Sequence, residues 1–290
     1  CNAHLFFSGQ NLQKRITNIR KKANFFNDQK PFLELPNLDI HRGYKLLENL
    51  GVKKKDKWIC VYNRDAGYLK NYIKNMNWTY HNYRNFPISD LKKIVYLFIK
   101  NNYFVIRVGS STQGNLNLDN PKYIDYSQSN LQSDFMDCFL MSRCEMFFGG
   151  PSGICMFPAS FRRPYFIVNN CPLEGVFSIK RIYPGIFKRL IDLKNNKILS
   201  IKEMVDRKLC NIFTTDGFKK ENVSQVNNSE EELEEFAIEA LSIIRDKESI
   251  RKKIYNKKEK EFISEIIKDE LIQKLEYKNP IGSTFLEKTK

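Results

Sequence analysis

The chain lacks the short motifs that mark several large enzyme classes. It has no Walker A motif, no His-Glu-x-x-His motif and no Cys-x-x-Cys pairs with the spacing of zinc ligands. Ser152 does not stand in the Gly-x-Ser-x-Gly setting of a hydrolase nucleophile. Only His4, His41 and His81 are present as histidines. These absences argue against a P-loop NTPase, a zinc enzyme and a serine hydrolase, and we expect neither a metal nor a bound cofactor.

Paired cysteines, long apolar runs and an initiator methionine are also missing. Of the seven cysteines, Cys60, Cys138 and Cys155 lie inside apolar runs, where a free thiol acts as a small hydrophobic residue. This usage is typical of a reduced, cytoplasmic setting. No apolar run reaches the about 18 residues that a membrane-spanning helix needs. Because the chain starts at Cys1 without a signal peptide, we expect it to be a fragment of a longer protein.

Acidic residues are fewer than basic ones. Lys and Arg number 48 against 33 Asp and Glu, a net charge of +15. This excess favours anionic partners such as nucleotide phosphates, nucleic acid or an anionic membrane surface, and the alternative is that exposed lysines only promote solubility. The charge is spread along the chain and no RNA- or DNA-binding motif is present, so we expect no specific nucleic-acid partner. Peripheral contact with the inner face of the membrane is expected instead.

Short apolar runs alternate with helical patterns over residues 58–168. Continuous apolar runs bounded by turn residues are typical of parallel strands covered on both faces. The predicted strands are residues 58–62, 103–108, 123–126, 146–148 and 166–168. The predicted helices include residues 41–50 capped by Asp39, 90–101 capped by Ser89, 201–207, 230–245 capped by Ser229, and 248–275, while 213–223 is predicted as a loop. The pattern predicts an α/β fold with a mostly parallel, Rossmann-type sheet flanked by helices.

Arginines, glycines and a serine follow three successive predicted strands. They are Arg64, Arg107, Gly109, Gly149, Gly150, Ser152 and Gly153. Because the carboxyl ends of parallel strands meet at one edge of the sheet, we expect a basic crevice rich in backbone amides, suited to a diphosphate. The alternatives are ion pairs for the arginines, Arg64 with Asp65 or Asp134, and an ordinary strand–helix turn for the glycines.

The acids Asp65, Asp125, Asp134 and Asp137 could each serve as a general base or accept a substrate hydroxyl. Asp65 and His81 are the candidates we prefer for the catalytic base. Asp65 follows the first strand directly, and His81 lies in a stretch rich in tyrosine and asparagine. The alternative for His81 is packing among aromatic rings. Asp134 is either a helix cap or a contact to a bound diphosphate. In the transfer reaction that the resemblance described next implies, Asp134 is assigned to the donor, and Tyr68, Tyr83 and Arg84 are assigned to the acceptor or sugar.

Five motifs then stand in one order. They are residues 63–65 (Asn-Arg-Asp), 80–84 (Tyr-His-Asn-Tyr-Arg), 105–109, 133–137 and 149–153. Over roughly Leu35 to Leu286, this pattern resembles a family of bacterial glycosyltransferases found in surface-polysaccharide gene clusters. More distantly, residues 137–161 are similar to the donor-binding part of GDP-fucose-type fucosyltransferases. By that resemblance Arg64 matches an arginine that holds the donor pyrophosphate, and Ser152 and Gly153 match the turn that contacts the nucleotide.

Three positions depart from the family pattern. Gln132 stands where the family has arginine, Asn63 where it has histidine, and Pro151 where it has threonine or a small residue. Gln132 removes one positive charge near the expected site.

The resemblance implies a GT-B-like arrangement of two Rossmann-type domains, of which the first is incomplete. We expect residues 1–50 to end the N-terminal, acceptor-side domain, 51–225 to bind the nucleotide sugar, and 226–290 to form helices that pack back on both. The implied function is metal-independent transfer of a sugar from a nucleotide-diphosphate sugar to a surface polysaccharide or glycolipid. The alternatives are a nucleotide-sugar epimerase or hydrolase of the same fold, and a non-catalytic basic module for nucleic acid or anionic polysaccharide.

Overall fold

The computed structural model describes residues 31–72, 75–173, 183–246 and 281–288. We number helices and strands along these residues. The strands are β1 (Trp58–Tyr62), β2 (Phe104–Arg107), β3 (Tyr123–Ile124), β4 (Met146–Gly149), β5 (Tyr165–Asn170), β6 (Gly185–Phe187), β7 (Arg189–Asp192), β8 (Lys197–Ile198) and β9 (Val223–Val226). The α-helices are α1 (Asn37–Asn49), α2 (Gly67–Tyr72), α3 (Lys92–Lys100), α4 (Asp134–Arg143), α5 (Met156–Ser160), α6 (Ile201–Asp206), α7 (Thr215–Lys220), α8 (Glu230–Arg245) and α9 (Ser283–Glu287).

The main sheet has six strands in the order β3-β2-β1-β4-β5-β6, and every neighbouring pair is parallel. A second, antiparallel sheet has the order β8-β7-β9. The predicted class, a Rossmann-type parallel sheet flanked by helices, is therefore confirmed. The predicted GT-B domain arrangement and the domain boundaries stay predictions.

Helices cover the sheet on both faces, which explains the unbroken apolar runs. Alternate residues of a strand point to opposite faces, so Ile59 and Val61 join one core with residues of α3 and α8. Trp58 and Cys60 join the other core with residues of α1 and α4. Since β1 lies in the middle of the sheet and is buried on both faces, the residues that follow it have a fixed position.

Local capping was predicted correctly at one helix and wrongly at two. Ser229 begins α8 as expected, because its Oγ accepts from the Glu232 amide at 3.2 Å and Glu232 returns a bond to the Ser229 amide. Asp39 lies within the first turn of α1, whose N-cap is Pro36, so it is not the cap. Ser89 makes no cap either, because a 3₁₀ helix, Ile88–Leu91, leads directly into α3.

The loop prediction for residues 213–223 was wrong. Thr214 caps α7 by accepting from the Gly217 amide at 3.0 Å, and β9 begins at Val223. The short helix predicted at 201–207 is confirmed as α6. The helix predicted at 248–275 lies outside the described residues. Among the helices that the structure does describe, none is long and apolar enough to span a bilayer.

Candidate functional site

The carboxyl edge of the sheet contains a switch point between β1 and β4. The chain runs from β1 outward through β2 and β3, then continues on the other side through β4, β5 and β6. In open α/β sheets, ligands bind outside the carboxyl ends of the strands at such a point. The structure brings the segments after β1 and β4 together here, since the Gly150 amide donates to the Tyr62 carbonyl at 3.0 Å.

Arg64 is a buried cation at this edge. Only 6% of the residue is exposed, and its Nη1 donates to Oδ1 of Asn85. Within the described ranges, no carboxylate lies at ion-pair distance, so the expected alternative of a salt bridge with Asp65 or Asp134 is not what the structure shows. Burial, together with the neighbouring charge of Arg84, lowers the pKa of Arg64 to about 10.

Two more cations lie close to Arg64. Arg84 ends the 3₁₀ helix Thr79–Arg84, with its guanidinium 5.6 Å from the Tyr83 ring centroid. Lys188 follows β6, is 4% exposed, and donates from Nζ to the Asn85 carbonyl at 2.7 Å. The sequence interpretation missed Lys188, although a lysine directly after the apolar run 185–187 is the same signal that identified Arg64.

Arg107 has the opposite surroundings. It is fully buried, and its Nη1 donates to Asp125 Oδ2 at 2.9 Å and to the Gly114 carbonyl at 2.6 Å. Its Nη2 donates to Asn63 Oδ1 at 3.0 Å and to the Gln113 carbonyl at 2.8 Å. A phosphate would have to displace these acceptors, so the geometry gives Arg107 the work of holding the loop after β2 against the end of β1.

Asp65 also ties loops together. Its Oδ1 accepts from the Gly67 amide and its Oδ2 from the Gln113 amide, both at 2.8 Å. Arg107 lies 3.9 Å from the same Oδ2. A carboxylate has about four lone-pair positions, so these contacts leave acceptor capacity, and the general-base role of Asp65 stays a prediction.

The glycines at the turn after β4 are of two kinds. A Cβ at Gly149 would lie 2.2 Å from the Tyr62 carbonyl oxygen, and one at Gly150 would lie 2.5 Å from the Phe86 ring. A Cβ at Gly153 would meet no atom within 4 Å, and its backbone is not left-handed. Packing therefore explains Gly149 and Gly150 but not Gly153. The remaining glycine, Gly109, has φ +120 in the turn after β2.

The turn presents open backbone donors. In the described part of the chain, the amides of Ser152 and Gly153 donate to no protein acceptor, while the Ser152 hydroxyl accepts from Tyr62 at 3.3 Å. The helix that follows the turn is short, because a 3₁₀ helix, Gly153–Cys155, leads into the five-residue α5. The open amides, rather than a helix dipole, are what this turn offers to an anion.

The aromatic stretch before α3 is mostly packed. The ring of His81 lies 3.9 Å from that of Tyr80 and 6.2 Å from that of Trp78, as the packing alternative expected. Tyr83 is 4% exposed and packs on Phe218 with ring centroids 5.5 Å apart. Burial raises the pKa of Tyr83 to about 12. The structure thus places Tyr83 in the core rather than on a surface where it could contact an acceptor.

Tyr68 and Asp134 are accessible. Tyr68 is 40% exposed on α2 and stacks on Tyr72 with ring centroids 4.9 Å apart. Asp134 lies exposed in the first turn of α4, and Ser133, not Asp134, caps that helix by accepting from the Met136 amide at 3.3 Å. Both residues are free to contact a ligand at the carboxyl edge.

A half-buried acid lies one turn further along α4. Asp137 Oδ2 accepts from Gln132 Nε2 at 3.1 Å, whereas its Oδ1 is buried and, in the ranges that the structure describes, receives no hydrogen bond. Burial raises the pKa of Asp137 to about 7, and Asp134 adds to this rise. The departure at Gln132 therefore leaves an acid without the cation that an arginine there would supply.

Other parts of the molecule offer less. A depression of about 570 Å³ between Glu48 and Lys55 lies at the amino edge of the sheet and is lined by exposed lysines and a glycine turn, with no buried polar group aimed into it. No cluster of three or more His, Cys, Asp or Glu side chains suited to a metal ion occurs among residues with described positions.

Comparison of the chain with family models, curated proteins and solved structures found no significant match. The function must therefore be argued from the residues at the carboxyl edge of this sheet.

Proposed function

We propose that the chain is a glycosyltransferase, which takes a sugar from a nucleotide-diphosphate sugar and passes it to a surface polysaccharide or glycolipid. One observation supports this most strongly. Arg64 is a buried cation with no described counter-ion, and it lies at the switch point beside a turn whose Ser152 and Gly153 amides are open. A buried charge without a partner is unfavourable, and a bound phosphate would compensate it while accepting the arginine's forked donors.

The chemistry needs negative charge to be stabilised as it forms. An acceptor hydroxyl oxygen attacks the anomeric carbon, the bond from that carbon to the diphosphate breaks, and the diphosphate leaves with the electron pair. Arg64 and the Ser152 and Gly153 amides would stabilise that leaving group without a metal. Asp65 or His81 would take the proton of the acceptor hydroxyl.

The remaining predicted residues divide between shape and contact. Arg107, Gly109, Gly149, Gly150 and Tyr83 would shape the site from within, because packing or protein hydrogen bonds already engage them. The accessible residues Tyr68 and Asp134 and the half-buried Arg84 would contact the sugar, the acceptor or the donor.

Nucleotide binding tests the proposal first. We expect one member of a panel of GDP, UDP, CMP, ADP and dTDP to raise the melting temperature. At a nucleotide concentration of 100 times its dissociation constant, binding adds about 2.7 kcal/mol to the free energy of unfolding. Arg64→Ala should lose this stabilisation. Arg143→Ala, an exposed arginine in the last turn of α4, is the matched control and should keep it. No shift with any nucleotide, or equal shifts in both variants, would contradict the proposal.

Turnover separates the transferase from the alternatives. With the stabilising nucleotide's sugar conjugates as donors, release of nucleotide should require an acceptor glycan, and Arg64→Ala should reduce it by about 100-fold or more. Release without acceptor would favour a hydrolase, and conversion of the sugar without release would favour an epimerase.

A further inference from the structure

Lys188 is a buried ammonium that makes one hydrogen bond to the described part of the chain. Its Nζ donates to the Asn85 carbonyl at 2.7 Å, and no carboxylate in the described ranges lies at ion-pair distance. Asp90 acts on it through space, but Asp90 Oδ2 accepts from Asn227 Nδ2 at 2.9 Å. A lysine ammonium has three donors and a full charge, so the described residues engage one donor of Lys188 and leave its charge without an ion pair.

Asn85 is the residue that joins three cations. Its side-chain oxygen accepts from Arg64, its carbonyl accepts from Lys188, and Arg84 directly precedes it. Arg84 and Arg64 each disfavour the charge of a neighbour, since Arg84 lowers the pKa of Arg64 and Arg64 lowers that of Lys188. We call Arg64, Arg84 and Lys188 the three-cation cluster. Holding like charges together out of water opposes folding, so stability does not explain it.

We propose that Lys188 and Arg84 bind a second phosphate group, so that the three-cation cluster is a site for two linked phosphates rather than one. The inference rests on the proposed function, in which the ligand is a nucleotide diphosphate. It adds that specificity for the diphosphate comes from Lys188 after β6 and Arg84 before α3. Both residues lie outside the turn after β4 that was predicted to bind the donor. Arg107 cannot take this part, because Asp125 already neutralises it.

Proton uptake should accompany binding. Burial lowers the pKa of Lys188 to about 8, and an anion would restore its charge. The titratable and charged groups that face it are Arg64 after β1, Cys171 after β5 and Asp90 before α3. Burial raises the pKa of Cys171 to about 12, so the thiol stays neutral in this range. Binding at about pH 8.5 should therefore draw a proton onto Lys188, and binding at about pH 6.5 should not. Because phosphate and pyrophosphate also titrate in this range, the proton uptake by Lys188 is measured as the difference between the wild type and Lys188→Arg.

Calorimetric titration with pyrophosphate and with inorganic phosphate tests the inference without a nucleoside. We expect pyrophosphate to bind about tenfold or more tightly than phosphate, as one added charged hydrogen bond allows. Lys188→Met should reduce pyrophosphate affinity about tenfold and phosphate affinity much less. Lys55→Met removes the same charge at the amino edge of the sheet, and it should leave both affinities unchanged.

Two further measurements separate binding from a structural role. Without ligand, Lys188→Met should melt no lower than the wild type, whereas a structural lysine would lower the melting temperature on removal. Titrations of the wild type in two buffers of different ionisation enthalpy should detect the proton uptake by Lys188, which Lys188→Arg should abolish while keeping the charge.

Any one of three results would overturn the inference. They are equal affinity for phosphate and pyrophosphate, an unchanged pyrophosphate affinity in Lys188→Met, and equal proton uptake by the wild type and Lys188→Arg. The proposed function fails separately. If no nucleoside diphosphate binds more tightly than pyrophosphate, the cluster binds linked phosphates but the donor assignment is wrong. If a nucleoside diphosphate binds through Arg64 and Lys188→Met changes nothing, the transferase stands and the role of Lys188 is wrong.

Discussion

Two arginines at neighbouring strand ends differ in every respect except their burial. Arg107, at the end of β2, gives four hydrogen bonds to protein acceptors and an ion pair to Asp125 at 2.9 Å. Arg64, two residues beyond β1, makes one side-chain hydrogen bond within the described ranges, to Asn85, and has two cations near it. The charge of Arg107 is therefore neutralised by a carboxylate, whereas that of Arg64 has no carboxylate partner in the described ranges.

This difference distinguishes a structural arginine from a candidate ligand-binding one, which the residue type alone does not do. Both arginines follow parallel strands, and both match the expectation of a phosphate ligand equally well. Their partners decide the matter, because a buried charge that the protein already satisfies gains little from a ligand, whereas an unsatisfied one gains much. The comparison yields expected effects on stability that differ in size and sign.

The largest effect is expected at Arg107. Arg107→Ala leaves Asp125 buried without its cation, and breaking such a pair reduces the free energy of unfolding by about 3–5 kcal/mol. Urea unfolding would measure this. Arg64→Ala leaves no carboxylate unpaired, so its loss should be much smaller. Equal losses in the two variants would show that Arg64 is as structural as Arg107, and the comparison would fail.

Local patterns predicted the strands β1 to β5, but they predicted neither β6 to β9 nor these partners. β1, β4 and β5 were found because a doubly covered strand has a continuous apolar run of its own. Arg107 is completed by Asn63, 44 residues earlier, and by Asp125, 18 residues later. Lys188 reaches Asn85 from 103 residues away, over the β6 side of the sheet. Such pairings depend on strand order, which no local pattern contains.

Short elements stabilised by distant contacts were missed for the same reason. The six-residue helix α7 places Phe218 against Tyr83, and Thr215 Oγ1 donates to the Thr79 carbonyl at 2.9 Å, 136 residues away. Such a helix is stable through its packing rather than its own propensity. Its polar flanks therefore predicted a loop. The glycine pair was assigned to a ligand for a related reason, since the approach of Tyr62 and Phe86 becomes visible only in the fold.

Asp137 extends the comparison to an acid that has no cation. Its folded pKa of about 7 is above the 3.8 of an exposed aspartate, so below about pH 4 the group is protonated in both states and has no effect. As pH rises from about 4 to about 7, the unfolded state releases its proton first, and stability falls by about 4 kcal/mol.

Urea unfolding of wild type and Asp137→Asn across this range would measure the fall. The variant should lose the downward slope and be the more stable protein at about pH 8. Gln132→Arg supplies the missing cation and should also flatten the slope, by lowering the pKa of Asp137. Parallel profiles for wild type and Asp137→Asn would show that this acid is already charged in the folded protein.

The smallest effects are expected at the turn after β4, where two glycines three residues apart repeat the contrast. Gly150→Ala forces a Cβ to within 2.5 Å of the packed Phe86 ring, which should reduce the free energy of unfolding by about 1–3 kcal/mol. Gly153→Ala meets nothing within 4 Å and should change it by less than about 0.5 kcal/mol.

The variant with the smaller effect on stability, Gly153→Ala, should affect nucleotide binding. A methyl group at position 153 stands beside the open amides of Ser152 and Gly153, so Gly153→Ala should weaken the nucleotide-induced thermal shift while leaving the unliganded melting temperature in place. A Gly153→Ala protein with an undiminished shift would mean that a ligand does not approach these amides. Arg64 would then bind phosphate together with Arg84 and Lys188 only. The turn after β4 would have a structural role and no contact with the ligand.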